Sequence, residues 1–351
     1  MTTARHQNRA KESGKPRDPY LDNARAILIT LVVTGHFLDN VSSYLGGAID
    51  TWIYAFHMPA FVAISGHLSR SYRNEPRQIS RIITALLVPY IIFQTVQALL
   101  RVIVHDDDFS VHLWTPSWTL WFLLALFLWR IFTPLLRALR YPLIFSIAIS
   151  VMAPIATHLD QTLTWGRVLS FLPFFVLGLV TTPDHLRRLR EFRFRHIGLV
   201  ILGAGLALSF LTHEKFRISL FHMSTSYDLH DVSDIRGAIV RIAVLLISGI
   251  AVISFMAITP QRRHWWTDIG KNSLTIYLLH APLFYPLRES EFMDSIDSPG
   301  GTVLVIIAAL LLTVILSRKW VITATNWLTN PPVGRWLVED SSQGSPKKPA
   351  G

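Results

Sequence analysis

The sequence has no cysteine and few charged residues, and both absences narrow the range of functions. Without cysteine among its 351 residues, the chain cannot form disulfides, use a thiol in catalysis, or bind iron–sulfur clusters or zinc through cysteine. Only 16% of the residues are charged and 51% are hydrophobic, whereas soluble domains average about a quarter charged. A chain of this length and composition has more apolar surface than one soluble core could bury. The composition argues against a soluble enzyme and against a disordered chain, and predicts a protein embedded in a bilayer.

Stretches without Asp, Glu, Lys or Arg divide the sequence into about ten apolar segments. Most reach the roughly 18 to 20 residues that a helix needs to cross a bilayer. The first segment, 24–44, is interrupted only by Arg25 and Asp39. The other nine are 51–69, 82–100, 109–129, 141–159, 168–183, 196–213, 242–261, 272–287 and 298–317. We therefore predict an all-α, polytopic membrane helix bundle with about ten transmembrane helices, located in the cell membrane.

The net charge of +10 is distributed unevenly along the chain. Most of the 33 basic residues lie before the first segment, after the last, or after the second, fourth, sixth and eighth segments. The intervening loops are acidic or neutral, as at 106–108 and 289–297. Because basic loops favour the cytoplasmic side of a membrane, this alternation predicts that both termini are cytoplasmic. The basic charge then marks topology, and we expect the lipid bilayer as a partner and no nucleic acid.

Two ionisable residues share one face of the first segment. Arg25 and His36 are separated by about three helical turns, or about 16 Å along the axis. In one interpretation, Arg25 pairs with an anionic group from the cytoplasm and His36 acts as a general base on a hydroxyl, oriented by either Asp39 or Asn40 about one turn further on. In the other, Arg25 extends to the membrane interface and His36 bonds a neighbouring helix. The residues alone leave both interpretations open, although ionisable groups at membrane depth favour a function.

Other residues at membrane depth are candidates for substrate binding, each with a structural alternative. His57 precedes the helix-kinking Pro59 and could either enter the site or make a packing hydrogen bond. Trp118 and Trp121 could stack on a sugar or lie at the membrane interface. The ninth segment carries a polar stripe that fits either a site or helix packing, formed by Asn272, Ser273, Tyr277 and His280.

Arginines between the second and third segments could hold a phosphate group. They are Arg70, Arg73, Arg77 and Arg81, and guanidinium groups form bidentate hydrogen bonds to phosphate oxygens. The alternative is that they bind lipid headgroups and mark topology.

Soluble-enzyme motifs are missing from the sequence. It contains no phosphate-binding P-loop and no HExxH metal pair. The 14 histidines do not combine with carboxylates or cysteines at the spacing of a metal cage, so we expect no metal.

Six groups of residues follow one another in an order that resembles a known family. They are LDNAR (21–25) with Gly35-His36, FHMPAF (56–61) with Ser65-Gly66, Pro89-Tyr90, WTLWFLLALFLWR (118–130), FLPFFVLG (171–178) and GKNSLTIYLLH (270–280). On these motifs the chain resembles the membrane acyltransferase-3 family, especially its fucose-4-O-acetylase-like branch, over about residues 18–330. The most specific feature is an arginine, ten further residues and a histidine in the first segment.

The resemblance implies acyl-CoA-dependent O-acylation, usually O-acetylation, of a cell-envelope glycan or a glycolipid such as a trehalose-type lipid. It implies acetyl-CoA as the co-substrate, with Arg25, Arg81 and Arg70 toward its anionic end and His36 as the catalytic base. Asn272, Ser273 or Tyr277 would then stabilise the oxyanion. The expected organisation is a transmembrane acyltransferase domain over 20–330, between a flexible basic tail at 1–19 and a cytoplasmic tail at 331–351.

The sequence departs from the family pattern at two points. His67 stands where an aromatic residue often follows Ser-Gly, and we find no fused extracytoplasmic SGNH-type hydrolase domain, which leaves open a separate extracytoplasmic partner. A glycolipid transporter or flippase is the alternative function, because proline-interrupted helices with buried His and Arg would suit it. The paired, correspondingly interrupted halves that many transporters have are not evident in the sequence.

Overall fold

The apolar segments form α-helices in the computed structural model, which describes residues 18–155, 164–215, 218–223 and 233–331. Over these residues the regular secondary structure is helical, without a β-strand. The helices range from four to 30 residues and are numbered in chain order. They are α1 (Pro19–Leu38), α2 (Tyr44–Leu68), α3 (Pro76–His105), α4 (Trp121–Ala138), α5 (Pro142–Met152), α6 (Trp165–Ser170), α7 (Leu172–Val180), α8 (Pro183–Leu189), α9 (Phe192–Thr212), α10 (Ser219–His222), α11 (Asp234–Ile258), α12 (Thr267–Lys271), α13 (Ser273–Arg288), α14 (Glu291–Asp294), α15 (Pro299–Leu316) and α16 (Lys319–Thr329).

Six of these helices are long and apolar enough to cross a membrane. They are α1, α3, α9, α11, α15, and α4 together with the turn that precedes it (Trp118–Ala138). A bent pair, Trp165–Val180 with Pro183–Leu189 at 93°, adds a seventh if it counts as one span. The all-helical membrane class is confirmed, and each of the ten apolar segments overlaps a helix. The count of about ten spans and the cytoplasmic termini stay predictions, and the tails predicted at 1–19 and 331–351 lie almost entirely outside the described residues.

Helix α1 is largely buried, and this brings Arg25 and His36 into the protein interior. The helix begins where the Asp18 side chain accepts a hydrogen bond from the backbone N–H of Tyr20, at 3.0 Å. Pro19, at the first helical position, needs no partner for a backbone N–H. Apolar side chains of α1 are buried along its length, against α2, α12, α13 and α15.

Helices α2 and α7 touch backbone to backbone at two glycines. A Cβ atom added to Gly178 would lie 1.8 Å from the carbonyl oxygen of Ala63, and one added to Gly66 would lie 1.9 Å from that of Phe175. No side chain fits at either position, so the two glycines set the distance between these helices. Gly66 belongs to the Ser-Gly motif of the sequence, which has a packing role in this contact.

Helix α3 contains one π-helical turn, Ile83–Leu87, just before Pro89. A proline inside a helix lacks an N–H and its ring clashes with the carbonyl four residues earlier. The wider π turn accommodates the proline without ending the helix. As a result α3 continues to His105 as one 30-residue element.

The connection from α3 to α4 is organised by the buried side chain of Gln94. Its Nε2 donates to the carbonyls of His112 (2.9 Å) and Thr115 (3.0 Å), and its Oε1 accepts from the N–H of Ser117 (2.9 Å). The next residue, Trp118, has a φ of +33°, which a residue with a side chain rarely adopts. The Gln94 hydrogen bonds therefore hold the loop at the point where it presents Trp118 to the bundle interior.

Candidate functional site

His36 lies in a hydrogen-bonded cluster with Asp39 and Tyr54. Its Nδ1 is 3.2 Å from Asp39 Oδ2, and the Tyr54 hydroxyl donates to Asp39 Oδ1 at 2.8 Å. Because the carboxylate accepts from both neighbours, this arrangement favours the tautomer in which His36 Nδ1 carries the proton. Nε2 then keeps its lone pair, as a general base requires. The three residues join the end of α1 to the middle of α2.

Two aromatic rings flank the His36 imidazole. Trp118 meets it edge to face at a centroid distance of 4.9 Å. His280 of α13 stacks on it at 5.5 Å with 16° between the planes. These contacts fix the plane of the His36 ring, which remains 15% exposed.

The two other predicted histidines are held by their own helices. His57 and His280 are both buried, and each Nδ1 lies within hydrogen-bond distance of the carbonyl four residues earlier, at 2.8 Å for Ile53 and 3.1 Å for Ile276. In each residue Nδ1 donates to this carbonyl, and the hydrogen bond fixes the position of the ring. His57 then lies against Tyr54, and His280 lies against His36.

A cavity of about 360 Å³ opens beside His36, and we call it the histidine cavity. Its polar and aromatic wall comes from α1, α2, the start of α4, α6, α10 and α13. These wall residues are His36, Asp39, Asn40, Asp50, Tyr54, His57, Trp118, Thr119, Trp121, Arg167, Phe171, Phe221, His222, Tyr277 and Arg288. Aromatic faces, carboxylates and arginines thus meet in one space next to the imidazole.

A second cavity of about 200 Å³ contains Arg25, and we call it the arginine cavity. Arg25 forms an ion pair with Asp22 one turn earlier, and Arg130 of α4 lines the same cavity. The rest of the wall is mostly apolar, with two serines, Ser65 and Ser273.

The two cavities are neighbours, because three residues line both of them. These are Val32 of α1, Met58 of α2 and Tyr277 of α13. The face of α1 that carries Arg25 therefore borders one cavity, and the same face borders the other at His36. The one-face arrangement predicted from the sequence is present in the structure.

The predicted substrate residues divide between the two cavities and their surroundings. Asp39, His57, Trp118, Trp121 and Tyr277 line the histidine cavity, and the Tyr277 hydroxyl donates to the carbonyl of Thr119. Their roles in binding stay predictions.

Four more predicted residues do not line the histidine cavity. Ser273 lines the arginine cavity, whereas the Asn272 side chain donates to the carbonyl of Asp268 at 2.9 Å and lines neither cavity. Arg81 is exposed on α3, and the carbonyl of Arg70 accepts from Arg137 at 2.8 Å. Neither Arg70 nor Arg81 lines these two cavities in the described part of the chain.

Sequence reasoning missed several residues of the histidine cavity. Asp50 and Tyr54 precede His57 by seven and three positions, so all three share a face of α2. This helical spacing was the signal that could have identified them. Arg167, which lies 5.2 Å from the Trp121 ring centroid, and His222 have no comparable local signal. Burial lowers the pKa of His222, which lies in the connection between α9 and α11.

Groups of three or more His, Cys, Asp or Glu that could hold a metal ion do not occur among the described residues. His57 and His280 contact backbone carbonyls, whereas His36 contacts the Asp39 carboxylate.

Comparison with known proteins shows what the chain as a whole is similar to. A family model described as an acyltransferase domain, that of the acyltransferase-3 family, matches residues 18–318. Nodulation protein NolL from Sinorhizobium fredii is 24% identical over 338 residues, covering 90% of this chain and 89% of the relative. Nodulation protein NolL from Mesorhizobium japonicum is 26% identical over 294 residues, covering 76% and 77%. The search of solved structures found no match.

Proposed function

The chain belongs to the acyltransferase-3 family, and from this premise we propose that it is an acetyl-CoA-dependent O-acetyltransferase of the cell membrane. The acceptor in this proposal is a hydroxyl of a cell-envelope glycan or glycolipid, with a trehalose-type lipid as one such substrate. Arg25 is on the donor side and His36 is the catalytic base. We retain the fucose-4-O-acetylase-like branch, about ten spans and cytoplasmic termini as parts of the same proposal.

The observation that carries the proposal is the pair of neighbouring cavities along one face of α1. Acyl-CoA is an anionic molecule made in the cytoplasm, and its phosphates need cationic partners. Arg25 and Arg130 offer such partners in the arginine cavity, and the mostly apolar wall beyond them suits a thin acyl-pantetheine arm. Val32, Met58 and Tyr277 lie between this cavity and the one that contains His36. The thioester would therefore meet the acceptor beside the imidazole.

The chemistry follows from the hydrogen bonds of His36. Nδ1–H donates to Asp39, so Nε2 takes the proton of the acceptor hydroxyl as its oxygen attacks the thioester carbonyl carbon. The carbon–sulfur bond then breaks, and the departing thiolate receives the proton from Nε2. The products are an O-acyl ester and free CoA, with His36 restored. Asp39 holds the tautomer throughout, and Tyr54 holds Asp39.

In this proposal the oxyanion is stabilised by Asn272, Ser273 or Tyr277, in α13 or directly before it. Ser273 is the better placed of the predicted donors on the arginine-cavity side. The Tyr277 hydroxyl would have to leave the Thr119 carbonyl in order to donate to an oxyanion.

Purified protein in lipid nanodiscs, supplied with radiolabelled acetyl-CoA and a membrane glycolipid extract, tests the proposal. We expect acetyl transfer by the wild-type protein, and a loss on the order of 100-fold or more for His36→Ala, which is the contribution typical of a general base. Arg25→Ala should raise the KM for acetyl-CoA. His196→Ala is the matched control, because this histidine is exposed on α9, away from both cavities.

Full activity of His36→Ala would refute the assigned base. Absence of acetyl transfer or acetyl-CoA hydrolysis by the wild-type protein would favour the transporter instead. Mass spectrometry of envelope glycolipids from cells with and without the gene would then identify the acceptor by the loss of one acetyl mass.

A further inference from the structure

Asp50 is a buried carboxylate in the histidine cavity that the mechanism above does not use. It is 6% exposed, and among the described residues its Oδ1 has no hydrogen-bond partner. Burying a carboxylate oxygen without a donor is costly unless a ligand supplies one. The atom lies close to the catalytic end of α1, 3.7 Å from the position that a Cβ on Gly35 would occupy. Asp50 is therefore a carboxylate held beside His36 with capacity to accept a hydrogen bond.

Two more polar atoms of the same cavity share this property. The hydroxyl oxygen of Thr119, a residue 2% exposed, and Nε2 of His222 are buried without a hydrogen-bond partner among the described residues. They come from the turn before α4 and from α10, so with Asp50 three separate elements contribute. A ligand with several hydroxyl groups would satisfy all three, whereas an apolar ligand would satisfy none.

Asp50 is not a second orienting residue for His36. Asp39 occupies that role, because it is the carboxylate within hydrogen-bond distance of Nδ1 and of the Tyr54 hydroxyl. The two carboxylates thus have different neighbours: Asp39 accepts from protein donors, and Asp50 faces the cavity. Asp39 therefore orients the catalytic base, whereas Asp50 is available to bind the substrate.

We propose that Asp50, with Thr119 and His222, holds the acceptor hydroxyls next to the one that attacks, and so selects the position that is acylated. This inference rests on the proposed function and deepens it. The acceptor is then a polyhydroxylated ring with at least one hydroxyl vicinal to the reacting one. At about 360 Å³ the cavity is near the lower end of small-molecule sites, about 300–1,000 Å³, so it admits a ring and its linkage rather than a long glycan. Trp118 lines the same cavity.

A series of deoxy acceptors tests Asp50 directly. The wild-type protein and Asp50→Ala, in nanodiscs with radiolabelled acetyl-CoA, are given methyl glycosides of common hexoses and each monodeoxy analogue. For the wild type, removing the hydroxyl that Asp50 binds should lower kcat/KM by about tenfold or more, because a buried polar atom is then left without a hydrogen-bond partner. For Asp50→Ala the same deoxy analogue should cost little. Tandem mass spectrometry of products from a membrane glycolipid extract should show one ester position for the wild type and several for the variant.

Controls keep the outcome decisive. Asp50→Asn preserves the side-chain volume and an oxygen acceptor, so it should retain part of the discrimination and shows whether the fold tolerates the change. Asp184→Ala removes an exposed carboxylate of α8, which is ion-paired with Arg187 far from the cavity, and should behave as the wild type.

Equal penalties for the wild type and Asp50→Ala across the series, with one unchanged ester position, would overturn the assignment of Asp50 while leaving the acetyltransferase intact. A wild-type protein that acetylates neither the glycosides nor the glycolipid extract would overturn the proposed function, and this inference with it.

Discussion

The Asp39 carboxylate bridges the His36 imidazole and the Tyr54 hydroxyl. Through this bridge Tyr54 of α2 controls the geometry of His36 and Asp39 at the end of α1. Tyr54 is 9% exposed, and its hydroxyl also lies 3.4 Å from His36 Nδ1. Without that hydroxyl, Asp39 would lose its donor at Oδ1 and could rotate away from the ring. Tyr54 is therefore a positioning residue, because it acts through Asp39.

Replacing Tyr54 with Phe should slow the chemical step while preserving the fold. The variant loses a hydrogen bond to a charged group, and we expect kcat to fall by about tenfold or more with the KM for acetyl-CoA unchanged. Initial-rate kinetics in nanodiscs separate the two parameters.

Tyr20→Phe is the matched control for this change. Tyr20 is also buried and donates to a carbonyl, that of Met256 at 2.6 Å, but it lines neither cavity. We expect lowered thermal stability without a change in kcat. Equal kcat losses in the two variants would mean that Tyr54 contributes to folding only.

At the same scale, the sequence was informative where residues follow one another on one helix. Arg25 and His36 could be placed on one face from spacing alone, and the structure places both on cavities along that face. The contact from His36 to Tyr54 joins two helices, and no local pattern shows which helices will meet. Asp50 had a local signal in its spacing to His57, but only the structure shows that its Oδ1 lacks a donor among the described residues.

The backbone contact between α2 and α7 is the most demanding packing feature at the scale of helices. Because the carbonyl of Ala63 occupies the place of a Cβ on Gly178, any side chain there must push the two helices apart. Helix α2 carries Asp50, Tyr54 and His57, so a displacement of α2 would reach the histidine cavity.

Gly178→Ala should destabilise the protein and weaken the site together. Overpacking a tight interior typically costs about 1–3 kcal/mol, and a backbone contact leaves little room for relaxation. Thermal unfolding in detergent should show a lower midpoint. Gly203→Ala on α9 is the control, since nothing lies within 4 Å of its added Cβ, and the variant should be at least as stable as the wild type. Similar midpoints for both variants would contradict the proposed contact.

Gln94 has a comparable role for the loop that ends at Trp118. Gln94→Leu removes three hydrogen bonds to the backbone of that loop and leaves buried backbone groups without partners. We expect Trp118 to lose its fixed position against His36, and the KM for the acceptor to rise by about tenfold or more.

Gln97→Leu, one turn further along α3, is the control. Gln97 is equally buried, yet its Nε2 has no hydrogen-bond partner among the described residues, so the change removes no such bond at that atom. An unchanged acceptor KM in Gln94→Leu would show that the position of Trp118 does not depend on the Gln94 hydrogen bonds to this loop.

Helices themselves were largely predictable, because apolar length is a local property. The sequence located an element for every apolar segment, but it could not show that α3 contains a π turn before Pro89 or that the sixth segment bends by 93° at 181–182. Apolar length alone does not show where a helix widens or bends. The role of Trp118 was left between a sugar platform and an interfacial anchor, because the side chain of Gln94 that places it lies more than 20 residues earlier.

For the whole molecule, the absence of cysteine provides a direct test of topology. Single cysteines at exposed positions can be introduced without background labelling, since the native chain contains none. Basic loops favour the cytoplasm, so Arg73→Cys and Arg187→Cys should be protected from a membrane-impermeant maleimide in intact cells and labelled after permeabilisation. Asp107→Cys and Glu291→Cys should be labelled in intact cells, because they lie in acidic loops. All four positions are exposed in the structure, so a failure to label reflects the membrane and not burial.

If Arg73→Cys and Asp107→Cys were labelled from the same side, α3 would not cross the membrane, although it is 30 residues long and apolar. The alternation of loop charges would then be wrong as a guide to the number of spans. The placement of Arg25 on the cytoplasmic donor side, which rests on that alternation, would fail with it, whereas the His36–Asp39–Tyr54 cluster would stand.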